Sequence, residues 1–375
     1  MAPRTDFPPV RACLFDMDGL LLDTEDIYTL CVNELLLKHK KEKFPLPWSI
    51  KAQLQGRPGP AALDIFHDWA DLPISREQYK EEYYALQAQK FPHTTALPGV
   101  KEFLQKLGST RYWDLKEDAT TNGADQKPAA KPHRVHIALA TSSHEANFRM
   151  KTNHIQELFT VFETHRRVLG DDPRIPEGRG KPLPDIYLIA LQTINDSLPK
   201  GEEPITPEEC LVFEDSIPGV EAGRRAGMRV IWCPHPMLKQ EVDKTGDEKL
   251  VLAGLLNQAE IEKEKAAEVD KEKAEAGFTN GAKKTDTNVL ADTETVPEKP
   301  IDANTEKPSD ADAEKPGEID DGWAEYLPSL VSFPYEKYGI QIPNAEVEED
   351  PVMKESAKID EGEVLQAVQT KVADA

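Results

Sequence analysis

Nowhere does the chain run apolar for the roughly eighteen residues that a membrane-crossing helix requires. The opening residues, MAPRTDFPPVR, carry no apolar signal core either. The expectation is a soluble intracellular protein, cytoplasmic, with the nucleus left open. Positive charge is in short supply: 45 Lys and Arg stand against 68 Asp and Glu, a formal net charge of −23. Such a field repels phosphate polymers and anionic membrane surfaces, which excludes nucleic acid as a main partner. A phosphate bound here needs a local positive site or a metal. Cysteine is scarce too, with four in the whole chain and no paired spacing. Cys13, Cys210 and Cys233 lie in or beside apolar strand-like runs and Cys31 in a helical one. They read as buried free thiols in a reducing compartment, not as a disulfide framework.

What the chain does have is a set of short apolar runs that end in chemistry. ACLF stops at Asp16, VHIALA at Thr141, CLVF at Glu214 and RVIWC at Pro234. Each run is continuously apolar instead of alternating, as expected of strands buried on both faces of a parallel sheet. Helix-like stretches such as GVKEFLQKL, PDIYLIALQTI and GVEAGRRAGM lie between them. The alternation predicts an α/β fold, a doubly wound parallel sheet with its ligand site outside the carboxyl ends of the strands. At 375 residues there is room for one large or two modest domains.

The organisation expected from these patterns is a core over 10–26 and 92–255, interrupted by a helical domain over 27–91. YTLCVNELLLKHK and EQYKEEYYALQAQKF are helical in period there, and GRPGPAAL reads as a turn opening a helix. A polar surface insert is expected over 109–134. A longer one, 259–321, is charged on every side, and its Glu-Lys-Pro triplet recurs at Glu298, Glu306 and Glu314. Such composition cannot bury enough apolar surface to offset its ordering entropy, so disorder is expected. An aromatic segment, 322–341, is expected to dock on the core, ahead of an acidic tail over 342–375.

The strand ends carry the functional signal. Asp16 and Asp18 flank one residue, so on an extended chain both acids emerge on the same side. Left alone they repel, unless a cation sits between them or the two take different protonation states. Thr141 and Ser142 follow the second run, Lys181 lies in GKPLPDIY, and Glu214 and Asp215 end the third run. Alone, each has a plain alternative: a surface loop or calcium site, a helix N-cap, an exposed turn lysine, a helix start. Gathered at one sheet edge they make a phosphoryl-transfer kit built around magnesium.

FDMDGLLLDTE, ALATSS with FRMKT behind it, VLGDDP, GKPLPDIYL and CLVFEDSIPGVEAG with AGM resemble the haloacid dehalogenase-like superfamily of phosphatases. Within it the chain is most similar to the pseudouridine-5'-phosphatase-like branch, and SLVSFPYEKYGI looks like that branch's closing segment. The resemblance implies a Mg2+-dependent phosphatase acting on a small phosphorylated metabolite, with 27–91 as its cap; a monomer is the separate expectation for its assembly. It implies Asp16 as nucleophile, Asp18 as proton shuttle, and Thr141 and Lys181 as further catalytic groups. Thr141 and Ser142 would hold phosphate oxygens; Asp16, Asp18 through its carbonyl, Glu214 and Asp215 would hold the metal. Gly56 and Arg57 are the candidates for reaching substrate from the cap. Pseudouridine 5'-phosphate, a sugar phosphate and glycerol phosphate all suit the same core residues. Asp18 speaks against a dehalogenase or phosphonatase, and Tyr28 stands where the β-phosphoglucomutase relatives carry a His. A phosphomutase and a scaffold acting through the acidic insert are the remaining alternatives.

Overall fold

The computed structural model describes residues 3–57, 59–115, 133–256 and 317–343. All helices and strands among these residues belong to the compact unit Met1–Gln341. Strand β1 (Ala12–Phe15) leads to four helices, α1 (Glu25–His39), α2 (Trp48–Leu54), α3 (Gly59–Ala70) and α4 (Arg76–Lys90). Then come α5 (Val100–Ser109), β2 (His136–Ala140), α6 (Glu145–Thr152), α7 (Gln156–Phe159), β3 (Arg167–Val168) and α8 (Asp185–Asn195). The chain continues through β4 (Cys210–Glu214), α9 (Ile217–Arg225), β5 (Arg229–Trp232), α10 (Pro236–Thr245), α11 (Glu248–Ala253) and β6 (Ala324–Tyr326).

All pairings in the sheet are parallel, in the order β3-β2-β1-β4-β5-β6. Strand β1 is central, with Phe15 in register with Leu139 on one side and Phe213 on the other. The next residues, Asp16, Ala140-Thr141 and Glu214-Asp215, therefore leave the sheet side by side. Continuous apolar sequence is explained by burial on both faces. One face sends Leu14, Val212 and Trp232 against Tyr187 of α8 and Val220 of α9. On the other, Phe15 stacks on Phe213 with centroids 4.7 Å apart, and Phe103 of α5 and Phe333 meet Phe213 edge-on.

Helices α1 to α4 form a second apolar cluster, with Val32, Leu35 and Leu36 against Phe66, Ala70 and Tyr79. Ser75 caps α4 by accepting from the Gln78 amide at 3.1 Å. The four cysteines are unpaired and buried. Among the described residues no helix is long and apolar enough to cross a membrane.

Several sequence expectations need correction. The sheet has two strands beyond the four expected: β3, only two residues long, and β6, which adds to the free edge of β5. The polar insert begins later than residue 109, because Ser109 closes α5 and Thr110–Leu115 is a 3-10 turn. Trp113 pins that turn by donating its indole N–H to the Gln341 carbonyl at 3.0 Å. Residues 116–132 lie outside the described ones, as do 257–316 and 344–375, and so most of both inserts and the tail. The end of the long insert is structured: Asp321 pairs with the buried Arg224 of α9.

The returning segment seals the aromatic face. Phe333 is buried and stacks on Tyr338 at 5.0 Å, and Val10 donates its amide to the Tyr338 carbonyl at 2.9 Å. Truncating a buried Phe removes its transfer energy and leaves a cavity. Phe333→Ala is expected to cost about 3–5 kcal/mol, read as a lower urea midpoint with unchanged slope; a loss under about 1 kcal/mol would mean that the segment does not complete the core.

Candidate active site

Two turns bring the acids together. After β1 the chain reverses at Gly19, whose φ of +77° suits glycine; a Cβ there would overlap a carboxylate oxygen of Asp215. From the helical layer, Gly56 (φ +73°) turns at the end of α2 so closely over Ser216 that a Cβ would overlap its hydroxyl. Gln55, one residue earlier, donates its side-chain amide to Asp215. The helices thus rest directly on the strand ends.

Asp16 is buried, and Lys181 donates to its Oδ1 at 2.5 Å. The same ammonium meets Glu214 Oε1 at 2.6 Å and lies 3.3 Å from the Ala140 carbonyl. Glu214 also accepts from the Tyr187 hydroxyl and, at 3.1 Å, from that of Ser216. Carboxylate oxygens of Asp16, Glu214 and Asp215 lie within 4.8 Å of one another. Burial, opposed by Lys181 and aided by the neighbouring acids, pushes the Asp16 carboxyl up to about 7. Asp215 is raised well above the carboxylate range, by burial first and then by Asp16 and Glu25. Three buried acids, of which one ammonium pairs with two, are short of positive charge, and oxygen donors at this spacing suit a hard divalent cation.

Asp18 has a different environment. Burial would raise it, yet the charge and hydrogen bond of Lys151 hold it below the usual carboxylate range, helped by Ser143 and Thr24. Lys151 reaches Asp18 Oδ1 at 2.5 Å and Ser143 donates to Oδ2 at 2.6 Å. Both acids of the pair therefore have a lysine of their own.

The site opens into a cavity of about 370 Å³, within the usual span of small-molecule pockets. Asp16, Asp18, Ser142, Gly56 and Arg57 line it, with Phe66, Tyr79, Tyr83 and Tyr84 as an aromatic wall. Thr141 lies beneath: it is fully buried and its hydroxyl accepts from the Ser143 amide at 3.1 Å. Arg57 donates back to the Gln53 carbonyl at 2.7 Å. Two amide oxygens in the lining, Gln55 Oε1 and Gln87 Oε1, are buried without a hydrogen-bond partner among the described residues.

Sequence reasoning did not single out Lys151, Tyr187, Gln55 or Gln87, and it counted Ser143 only as one of the hydroxyls that follow the second apolar run. Lys151 had a readable signal, since it falls three residues after Phe148 and one before Thr152, all three on the buried side of α6.

A family model described as haloacid dehalogenase-like hydrolase matches residues 10–227. The chain belongs to the haloacid dehalogenase-like hydrolases. A Saccharomyces cerevisiae relative described as a probable pseudouridine-5'-phosphatase is 43% identical over 245 residues, covering 65% of this chain and 90% of the relative. A mitochondrial (DL)-glycerol-3-phosphatase of Arabidopsis thaliana is 33% identical, covering 65% of this chain and 70% of the relative. A probable pseudouridine-5'-phosphatase of Drosophila melanogaster is 33% identical, covering 66% and 90%. As an enzyme, this family member is a phosphoric monoester hydrolase.

A raised Asp16 means that the folded, metal-free site binds a proton that the unfolded chain releases above its ordinary carboxyl range. Ionising that site costs stability, increasingly as pH rises from the unfolded value toward about 7. A divalent cation relieves this cost but must displace the proton below it. The melting temperature gained on adding Mg2+ should be several degrees larger at pH 8 than at pH 5.5, roughly in line with a tenfold change in affinity per pH unit. Asp215→Asn should shrink that gain; an equal gain at both pH values in the native protein would count against a cation held by these acids.

Proposed function

We propose that this enzyme is a Mg2+-dependent phosphatase that hydrolyses a small phosphomonoester through a phosphoaspartate on Asp16, with pseudouridine 5'-phosphate as the leading substrate. In this reading it works as a monomer in the cytoplasm or nucleus, and α1 to α4 are the cap. The observation that carries the reading is the joining of two acids in unlike environments, Asp16 and Asp18, to one cavity walled by aromatic side chains of the cap.

Asp16 Oδ attacks phosphorus as the bond to the leaving oxygen breaks, and Asp18 delivers the proton that this oxygen takes up. Lys151 disfavours a proton on Asp18 in the free site; an incoming phosphate adds negative charge beside it and so restores the acid form. In the second step Asp18 takes a proton from water, the water oxygen bonds to phosphorus, and the bond to Asp16 breaks. Lys181 balances charge on Asp16 and on the transferring group. Ser142 faces the phosphate, and Thr141 supports the loop from below by fixing the Ser143 amide. Carboxylates of Asp16 and Asp215 and the carbonyl of Asp18 would hold the cation. Glu214, its oxygens engaged by Lys181, Tyr187 and Ser216, would reach it through water. When bound, the cation supplies positive charge to the phosphoryl oxygens and aligns them with Asp16.

The cavity supports a leaving group larger than glycerol. Phe66, Tyr79, Tyr83 and Tyr84 give the cavity an aromatic lining suited to a flat heterocycle, and the amide oxygens of Gln55 and Gln87 lack donors among the described residues. A base with ring N–H groups supplies both needs; glycerol phosphate supplies no flat ring. Gly56 and Arg57 stand at the cavity edge, where they would contact the sugar and phosphate.

Phosphate release from pseudouridine 5'-phosphate, uridine 5'-phosphate, glycerol phosphate and sugar phosphates, with and without Mg2+, tests the reading. Pseudouridine 5'-phosphate should be turned over fastest and only with metal. Asp16→Asn should abolish turnover, and Lys181→Met should lower kcat by about 100- to 1,000-fold. Metal-independent release, or activity in Asp16→Asn, would sink the mechanism, while preference for glycerol phosphate would sink only the substrate. Gln87→Leu should raise KM for pseudouridine 5'-phosphate by roughly tenfold or more with kcat little changed. An unchanged KM would remove Gln87 from recognition.

A further inference from the structure

Lys151 is a fully buried ammonium in the last turn of a short helix, at a position outside the phosphatase kit recognised in the sequence. An ammonium has three donors, and all three are used: Asp18 Oδ1 at 2.5 Å, the Tyr28 hydroxyl at 2.8 Å and Ser143 Oγ at 2.8 Å. Ser143 passes the connection on by donating to the other oxygen of Asp18 at 2.6 Å. The carboxylate is therefore gripped at both oxygens by a closed triangle of Asp18, Lys151 and Ser143. The ammonium of Lys151 also sits against two rings, its nitrogen 4.8 Å from the ring centre of Tyr28 and 4.7 Å from that of Phe91.

These neighbours are where the helical layer joins the core. Tyr28 belongs to α1, on the way in; Phe91 follows α4, on the way out. Thr94, just beyond, donates its hydroxyl to the main-chain carbonyl of Lys151 itself at 2.8 Å. Both crossings between core and cap therefore contact the residue that holds Asp18. Lys181, by contrast, donates to Asp16, Glu214 and the Ala140 carbonyl, away from both crossings.

We propose that Lys151 is the positioning residue for Asp18, fixing its carboxylate in the one orientation that exchanges a proton with the leaving oxygen, and doing so only while Tyr28 and Phe91 are seated. The inference rests on the proton-shuttle role given to Asp18 above. A lone carboxylate beside an ionised Asp16 would swing away from it; the grip of Lys151 and Ser143 opposes that swing. The residue touches neither substrate nor metal in this assignment and acts through Asp18 alone.

The dependence of kcat/KM on the leaving group separates this role from mere support. A nitrophenolate departs without a proton, whereas an alkoxide needs one. Phosphate release from p-nitrophenyl phosphate and from an alkyl phosphomonoester should be compared for the native enzyme, Asp18→Asn, Lys151→Met and Lys151→Arg. Lys151→Met should lose about 100-fold on the alkyl ester and less than about tenfold on the nitrophenyl ester. Asp18→Asn should show the same imbalance, and Lys151→Arg should recover part of the alkyl activity. Equal losses on both esters in Lys151→Met would overturn the proposal. If that variant does not fold, as read by its far-ultraviolet spectrum and melting, Ser143→Ala removes the second grip and should show a smaller imbalance of the same sign. A native ratio in Ser143→Ala would then overturn it. An Asp18→Asn enzyme with the native ratio would instead show that Asp18 does not shuttle the proton, and both readings would fall together.

Discussion

The repulsion between two carboxylates at the end of one strand is the constraint around which the site is arranged. Asp16 and Asp18 cannot both be ionised, buried and unpartnered without a cost that no small domain tolerates. The fold answers with two ammonium groups from different helical regions, Lys181 ahead of α8 and Lys151 within α6. Because the lysines keep different company, the acids differ: burial prevails at Asp16, whereas at Asp18 the charge and hydrogen bonds of Lys151, Ser143 and Thr24 together outweigh burial. Unlike environments are what allow like residues to take different tasks.

The parallel sheet makes this possible by geometry alone. Strand β1 has neighbours on both sides, and the register sets Phe15 level with Leu139 and Phe213. Asp16, Thr141, Ser142, Glu214 and Asp215 then lie one or two positions beyond a buried apolar run, while the two lysines come in from the helical side. The apolar face and the polar end are thus joined by rigid strands, and small errors in position are opposed by the packing of Phe15, Phe103 and Phe213. Gln55 and Gly56 reach the same strand ends from the helical layer, so the substrate cavity is shaped by both parts of the molecule.

Much of this was legible in the amino-acid sequence. The runs ending at Asp16, Thr141, Glu214 and Pro234 are long enough to show their burial, and they became β1, β2, β4 and β5. The strand over Arg167–Val168 is two residues long and begins with a charged residue, so it carries no periodicity to read. Strand β6 is half-exposed at the sheet edge and owes its place to pairing with β5, which no local pattern encodes. Lys151 was hidden for another reason: one lysine two residues from Arg149 looks like a solvated helix face, and only its phase relative to Phe148 points inward. Gln55 and Gln87 were hidden because their significance lies in a cavity made by segments distant in sequence.

Strand β1 is made almost first and sits in the centre of the finished sheet, while β6 and the aromatic plug at Phe333 are made after nearly everything else. The segment ahead of β1 is tied to this later one: Phe7 packs edge-on against Trp323 at 5.0 Å, and Arg4 donates its amide to the Asp321 carbonyl at 3.0 Å. A chain growing on the ribosome therefore carries β1 without β6 and Phe333 until those later segments are made. Pairings of such sequence separation are slow to form, because distant segments must meet before either is rewarded. The sheet that carries Asp16 is thus completed by segments made long after it.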